Sequence, residues 1–269
     1  MLRQRILTSV IGLPLLIVAI WFENPWFKLP WFTIIVAIIA ALGSIEFYRM
    51  ASHNKIRPVA YFGVAIAVLL AIIPYYPDFI TKPLVLTLAI IISLIWLLFQ
   101  PQKEGAFNNW AWVIAGILYI GWTLSYWSEL RNLEHGREWI LCSMLTVIAN
   151  DTSAFFIGRT WGKHYMAPSV SPKKTWEGAI GGLLGSIIVS IILGIVFSLP
   201  LNYGQLALLG CAISILAQLG DLVESLLKRN TNVKDSGNLV PGHGGILDRI
   251  DSFIFTGILV YYCVIVTAI

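Results

Sequence analysis

The acidic side chains Asp151, Glu177, Asp221, Glu224, Asp248 and Asp251 interrupt or border apolar segments in the second half of this 269-residue chain. A charged side chain at membrane depth costs roughly 2.5–3.5 kcal/mol on the insertion scale, so several in one region require a compensating role. Asp221, Glu224, Ser225 and Lys228 follow one another at i, i+3, i+4 and i+7, which is one face of a helix. Leu and Val fill the opposite face. Glu224 and Lys228 also fit a plain intrahelical ion pair, whereas Asp221 has no basic residue within a turn. Asp248 and Asp251 share a face at i, i+3. A helix dipole accounts for one acid in a first turn, and Arg249 can neutralise another. Neither explains why Asp221, Asp248 and Asp251 gather at one end of their helices. Oxygen ligands of this kind suit Mg²⁺, which takes one or two carboxylates and completes its shell with substrate phosphates and water.

Between these helices lies Asn230–Gly245, NTNVKDSGNLVPGHGG. Its glycines permit close backbone approach and an anion-binding nest of N–H groups. Lys228, Arg229 and Lys234 add positive charge, and His243, set between Gly242 and Gly244, can donate to a phosphate oxygen. Two more patches belong with this chemistry. One is Asn150-Asp151-Thr152-Ser153 inside an apolar run; its match to a glycosylation sequon is discounted at membrane depth. The other is Ser171-Pro172-Lys173-Lys174-Thr175-Trp176-Glu177, whose lysines either bind phosphates or anchor the helix at anionic headgroups. Gly178, Gly181, Gly182 and Gly185 follow at the spacing of close helix packing and read as structural.

The elements that must position these groups are membrane helices. Hydrophobic residues make up 58% of the chain and charged residues 12%, with a mean hydropathy of +0.79. Soluble domains carry about 25% charged residues, so this chain has too few to clothe a water-facing surface. A spanning helix needs about 20 apolar residues. Candidates lie at 5–22, 30–50, 58–77, 81–99, 109–130, 138–159, 175–199, 203–228 and 245–269. The chain therefore reads as an all-α integral membrane protein of about nine transmembrane helices. The N-terminal run lacks an Ala-x-Ala site and reads as a retained first span. With the N-terminus cytoplasmic and the C-terminus opposite, all of the 18 basic residues except Lys28, Lys82, Arg131 and Arg137 lie inside, as the positive-inside rule requires. The polar end of 203–228 then faces the cytosol. Trp26, Trp31, Trp96, Trp110, Trp112, Trp127 and Trp139 near the ends of apolar runs suggest an interfacial belt. Cys142, Cys211 and Cys263 show no CxxC spacing, so neither a disulfide framework nor a zinc site is expected. No linker divides the chain. It reads as one polytopic domain over 1–269, with N-terminal scaffold or dimerisation helices at 1–130 and a catalytic half at 138–269.

Ser225-x-x-Lys228-Arg229, Lys234-Asp235-x-Gly237 and Pro241-Gly242-His243-Gly244-Gly245-x-x-Asp248-Arg249-x-Asp251 together resemble the signature of phosphatidate cytidylyltransferases, also called CDP-diacylglycerol synthases. The Ser171–Glu177 patch is similar to that family as well. Val240, where the pattern has Leu, Ile or Phe, is a conservative departure. The likeness is strong over 150–251; earlier helices share hydropathy alone. It implies transfer of CMP from CTP to phosphatidic acid, giving CDP-diacylglycerol and pyrophosphate. It implies Mg²⁺, with Asp221 and Asp248 as its ligands, and a second cation such as K⁺. It further implies a homodimer in a bacterial-type cytoplasmic membrane, among membrane lipids and without nucleic acid. The expected catalytic set is Asp221, Asp248, Lys228, Lys234, His243 and Asp251. Substrate-binding roles are expected for Ser171, Lys173, Lys174, Arg229, Asp235, Gly244, Gly245, Arg249, Asn150, Asp151, Glu177 and Glu224. Two other readings fit parts of the pattern: a CTP-dependent polyprenol or dolichol kinase, and an ion-coupled transporter. The transporter fits less well, because the acids cluster near one face of one half rather than at the midplane of a repeat.

Overall fold

The computed structural model describes residues 12, 14–22, 29–51, 58–100, 104–239 and 244–267. Residues 14–21 are helical; the rest of the expected first span, together with Trp26, Val240 and His243, lies outside the described residues. Helices then follow at α1 Trp31–Ala51, α2 Pro58–Ile72, α3 Lys82–Leu98, α4 Ala106–Gly116, α5 Thr123–Asn132, α6 Gly136–Trp161, α7 Trp176–Val196, α8 Tyr203–Asn230, α9 Leu247–Ile254 and α10 Thr256–Thr267. A π-helical turn, Ile117–Trp122, joins α4 to α5, so the span expected at 109–130 is one helical run with an internal bulge. Among the described residues, five helices are long and apolar enough to cross a membrane: Trp31–Ala51, Gly136–Trp161, Trp176–Val196, Tyr203–Asn230 and the joined Leu247–Thr267. Val59–Tyr75 and Lys82–Leu98 are shorter apolar helices. The architecture is that of a multi-pass membrane protein.

One local feature departs from the all-α expectation. Tyr165–Ala167 (β1) and Ser171–Thr175 (β2) pair antiparallel, so the Ser-Pro-Lys-Lys patch is a strand rather than a loop. Thr175 ends this strand and caps α7, its Oγ1 accepting from Gly178 N at 3.2 Å. The start of α8 is set by a capping box: Asn202 accepts from Gln205 N, and Gln205 accepts in return from Asn202 N, both at 2.9 Å.

The chain divides into two compact units, Met1–Asn132 with Asp235–Leu247, and Leu133–Lys234 with Asp248–Ile269. In the first, α1 and α2 pack around Ala40, Ala67 and Leu70, all fully buried. In the second, α7 turns its glycines to α6. A Cβ on Gly182 would meet Asn150 Oδ1 at 2.6 Å, and one on Gly178 would meet Ala154 O at 2.9 Å. The glycines expected to be structural are therefore the reason α6 and α7 approach so closely. On the far face of α7, Trp176, Ile180, Leu184, Ile188 and Ile192 form an i+4 stripe, each more than half exposed. An apolar stripe turned outward and small residues turned inward invert the pattern of a water-soluble helix, as hydrocarbon surroundings require.

The tryptophan belt is only partly realised. Trp31 and Trp96 are exposed, whereas Trp127 and Trp139 are buried. Trp110 donates its Nε1–H to Ser93 Oγ at 2.8 Å. Proximity to a span end does not tell an interfacial ring from one packed between helices. Cys142 is buried and all three cysteines are free.

Candidate active site

The site is built around α8. Its 28 residues extend roughly 42 Å at 1.5 Å per residue. That exceeds a hydrocarbon core of about 30 Å, so its polar C-terminal third can extend past the apolar layer. Asp221 lies on this third. Immediately before it, a Cβ on Gly220 would collide with the backbone carbonyl of Asp251. The missing side chain thus lets α9 lie against α8 where both carry carboxylates.

A cavity of about 690 Å³ opens here, within the size range of small-molecule sites. Asp151, Asp221, Asp248 and Asp251 line it with carboxylates, and Arg159, Lys173 and Lys174 with positive charge. Four elements contribute: α6 brings Asp151 and Arg159, β2 brings Ser171, Lys173 and Lys174, α8 brings Asp221, and α9 brings the last two aspartates. Asp251 lies within electrostatic reach of Asp221 and Asp151. Such mutual repulsion favours a bound cation.

Lysines hold two of these carboxylates. Lys174 Nζ donates to Asp221 Oδ2 at 2.7 Å, with the Asp221 side chain 35% exposed. Lys228 Nζ bridges Asp248 Oδ1 at 2.7 Å and Glu224 Oε2 at 2.5 Å. The two readings of Glu224 and Lys228 are therefore both realised: the intrahelical pair forms, and its lysine also reaches the next helix. Glu224 is fully buried. Through Lys228 it is linked to Asp248, and neither Glu224 nor Lys228 lines the cavity.

Asn150 fixes Asp151. Its Nδ2 donates to Asp151 Oδ1 at 2.9 Å, while its Oδ1 accepts from Ser214 Oγ at 2.7 Å and Gln218 Nε2 at 3.2 Å. Gln218 also donates to Ala179 O at 3.1 Å. This buried network ties α6, α7 and α8 at one level and satisfies each polar group it buries. Asn150 is thus both a lining residue and the support of its neighbour.

The remaining expected residues are arranged differently. Glu177 pins the turn after α6, accepting from Lys163 N at 3.1 Å and His164 N at 3.2 Å and pairing with His164 Nδ1 at 2.5 Å. It is absent from the cavity lining. Arg229 is also absent and donates its Nε–H to Val170 O at 3.2 Å, bracing the β1–β2 turn. Lys234 and Arg249 are exposed and lie outside the lining. Asp235, Gly244 and Gly245 belong to the first unit. Gly244 takes a φ of 88°, a conformation that favours glycine.

Arg159, Ser214 and Gln218 are site residues that the expected set does not contain. Ser214, Gln218 and Asp221 stand at i, i+4 and i+7, so the stripe that begins at Asp221 continues four residues and more toward the N-terminus of α8. That periodicity was the available signal.

Among the described residues, no three His, Cys, Asp or Glu side chains form a ready-made metal cage. An open pair of carboxylates beside basic groups is the donor set for a hard cation that shares its shell with substrate phosphates. The residues present therefore fit a hard cation such as magnesium, and Asp221 and Asp248 are among the carboxylates on the cavity wall.

Taken together, the fold and the cavity define a multi-pass membrane protein with a cavity whose carboxylates stand beside basic side chains, a lining suited to phosphate-bearing ligands. A profile of the Cytidylyltransferase family matches residues 3–267. The chain is 34% identical over 270 residues to a phosphatidate cytidylyltransferase of Bacillus subtilis (strain 168), covering 97% of each chain. It is 35% identical to one from Pseudomonas aeruginosa over 94% of this chain and 93% of the other. A chloroplastic phosphatidate cytidylyltransferase of Arabidopsis thaliana is 34% identical over 97% of this chain and 72% of its own. The chain belongs to the cytidylyltransferase family.

Proposed function

We propose that this protein is a phosphatidate cytidylyltransferase, joining CMP from CTP to phosphatidic acid in phospholipid synthesis. The observation that carries this reading is the cavity itself. It sets four aspartates opposite two lysines and an arginine in a membrane protein of this family.

In the reaction, a phosphate oxygen of phosphatidic acid attacks the α-phosphorus of CTP. The new P–O bond forms as the α–β phosphoanhydride bond breaks, and the electron pair leaves with pyrophosphate. The nucleophile is already anionic, so positioning and charge stabilisation dominate catalysis. Magnesium, when bound, neutralises the triphosphate and the leaving pyrophosphate. Asp221 and Asp248 are its holders, and a second cation such as K⁺ belongs to the same reading. Lys174, paired with Asp221 at the cavity wall, and Lys228, paired with Asp248, would be freed for substrate phosphate wherever the aspartates hold a cation. Arg159 and Lys173 supply further charge at the cavity wall. Gln218 and Asn150 keep Asp151 in place throughout.

The same reading places about nine spans in the membrane, the N-terminus in the cytosol and the C-terminus opposite. The cavity then opens to the cytosol in a bacterial-type inner membrane, where a bilayer-held lipid headgroup meets a soluble nucleotide. The N-terminal helices form the homodimer contact. Purified protein in vesicles, given CTP labelled at the α-phosphate, is expected to pass label to phosphatidic acid and not to polyprenol or polyprenyl phosphate. Polyprenol labelled from CTP carrying the label at the γ-phosphate instead identifies a polyprenol kinase and overturns the assignment.

A further inference from the structure

The first unit holds a carboxylate that the reaction does not use. Glu46 lies in α1 and is 1% exposed. Its Oε2 accepts from Ser236 Oγ at 3.1 Å and from the backbone N–H of Leu247 at 3.0 Å. These partners are the second residue and the last of the segment Asp235–Leu247, which packs in the same unit as α1. Oε1 is buried and has no hydrogen-bond partner among the described residues.

Two glycines of this segment lie against the same carboxylate. A Cβ on Gly237 would overlap Glu46 Oε1 and come within 2.8 Å of Cδ, with every near atom belonging to Glu46. A Cβ on Gly245 would stand 2.5 Å from Glu46 Oε2 and overlap Ser236 Oγ. Both glycines thus have a packing reason independent of any bound anion. Leu247 opens α9, and its N–H is one of those a helix leaves without an internal acceptor. The next residue is Asp248.

A buried carboxylate is costly unless its bonds do something. Here both of its contacts clamp one segment at its two ends. We infer that Glu46 is a positioning residue for the reaction. It fixes Ser236 and Leu247, and with Leu247 the start of the helix that carries Asp248, without touching substrate. The catalytic consequence rests on the function proposed above; the anchoring does not.

The test uses the full-length protein in lipid vesicles with two readouts. The first is label transfer from CTP to phosphatidic acid. Glu46→Ala is expected to lower kcat about a hundredfold, the scale of an ångström-sized misplacement, while Glu46→Gln, which keeps an acceptor oxygen, recovers much of it. Gly237→Ala is expected to be impaired on its own, yet to add little to Glu46→Ala, because the atoms its Cβ meets are gone. The second readout is the electron-spin spectrum of a nitroxide at Asn238→Cys, with Cys142, Cys211 and Cys263 replaced and a control label at Glu104→Cys. Glu46→Ala is expected to mobilise the first label and leave the second unchanged. A segment label that stays ordered, or additive losses from Gly237→Ala and Glu46→Ala, overturns the anchoring. A mobilised label with undiminished transfer keeps the anchor and overturns its catalytic consequence.

Discussion

Lys82 in the first unit and Lys174 in the second each donate to a carboxylate at under 3 Å, and the two bridges have different surroundings. Lys82 Nζ meets Glu129 Oε1 at 2.8 Å and Ser125 Oγ at 2.9 Å, and stands 3.8 Å from the centroid of the Tyr126 ring. Its side chain is 9% exposed and that of Glu129 20%, and the pair lies between α3 and α5. Lys174 meets Asp221 at 2.7 Å, but both border an open cavity and are 20% and 35% exposed. A ligand arriving there can take either partner. The same pairing is thus closed architecture in one unit and an exchangeable contact in the other. Enclosure, rather than distance, separates them.

The sharpest way to break this comparison is to remove the open carboxylates. Asp221→Asn and Asp248→Asn each keep size and some hydrogen bonding but delete the charge that a cation needs. Label transfer from CTP into lipid is expected to fall about a thousandfold or more. Elution as a single species in detergent would show the variants folded. Full transfer by either variant excludes that aspartate as a metal holder.

Removing the open lysine comes next. Lys174→Ala is expected to lower transfer about a hundredfold, since it strips one charged donor from the phosphate site. Lys174→Arg is expected to restore part of it, because Arg keeps the charge and changes the geometry. If the bridge to Asp221 were mere architecture, Lys174→Ala would shift the melting temperature and leave turnover intact.

Asn150→Ala is milder, because it acts through Asp151. Loss of the bonds to Asp151, Ser214 and Gln218 is expected to cost about tenfold in turnover, in the range seen when supports of functional ligands are removed. Ser214→Ala, which leaves Gln218 in place, is expected to cost less. An Asn150→Ala enzyme with the turnover of the parent would mean that Asp151 does not need its support.

The two units also differ in how much of them the sequence exposes to a reader. In the second, polar residues recur at helical spacing on one face, so Asp221, Glu224, Ser225 and Lys228 identify themselves locally, and Asp248 and Asp251 do the same. The span limits there, 138–159 and 203–228, fall within two residues of α6 and α8. The strand Ser171–Thr175 escapes because Pro172 and two lysines carry no alternation of apolar and polar. Arg159 passes for a loop charge because helix ends cannot be told from loops by charge alone. In the first unit, Glu46 looks like an isolated acid near a helix end. Its partners Ser236 and Leu247 lie far along the chain, and no local periodicity links residues so distant. Trp127 and Trp139 mislead for the same reason, since tertiary packing decides which ring is buried.

The smallest expected effect on turnover belongs to the closed bridge, and it sharpens the comparison most. Lys82→Met removes the charge and leaves Glu129 beside a buried, unpaired neighbourhood. Breaking one side of a well-enclosed pair typically destabilises by about 3 kcal/mol. Thermal unfolding in detergent is therefore expected to begin at a clearly lower temperature. Replacing both partners, Lys82→Met with Glu129→Leu, is expected to recover much of that loss, because no stranded carboxylate remains. Below the unfolding range, both variants should transfer label at close to the parental rate. Stability and turnover thus move in opposite patterns at the two lysines: Lys82→Met costs melting temperature and spares catalysis, whereas Lys174→Ala spares melting temperature and costs catalysis. If Lys82→Met instead lowers turnover in protein that is still folded, enclosure does not distinguish the two bridges, and the first unit takes part in the chemistry through more than Glu46.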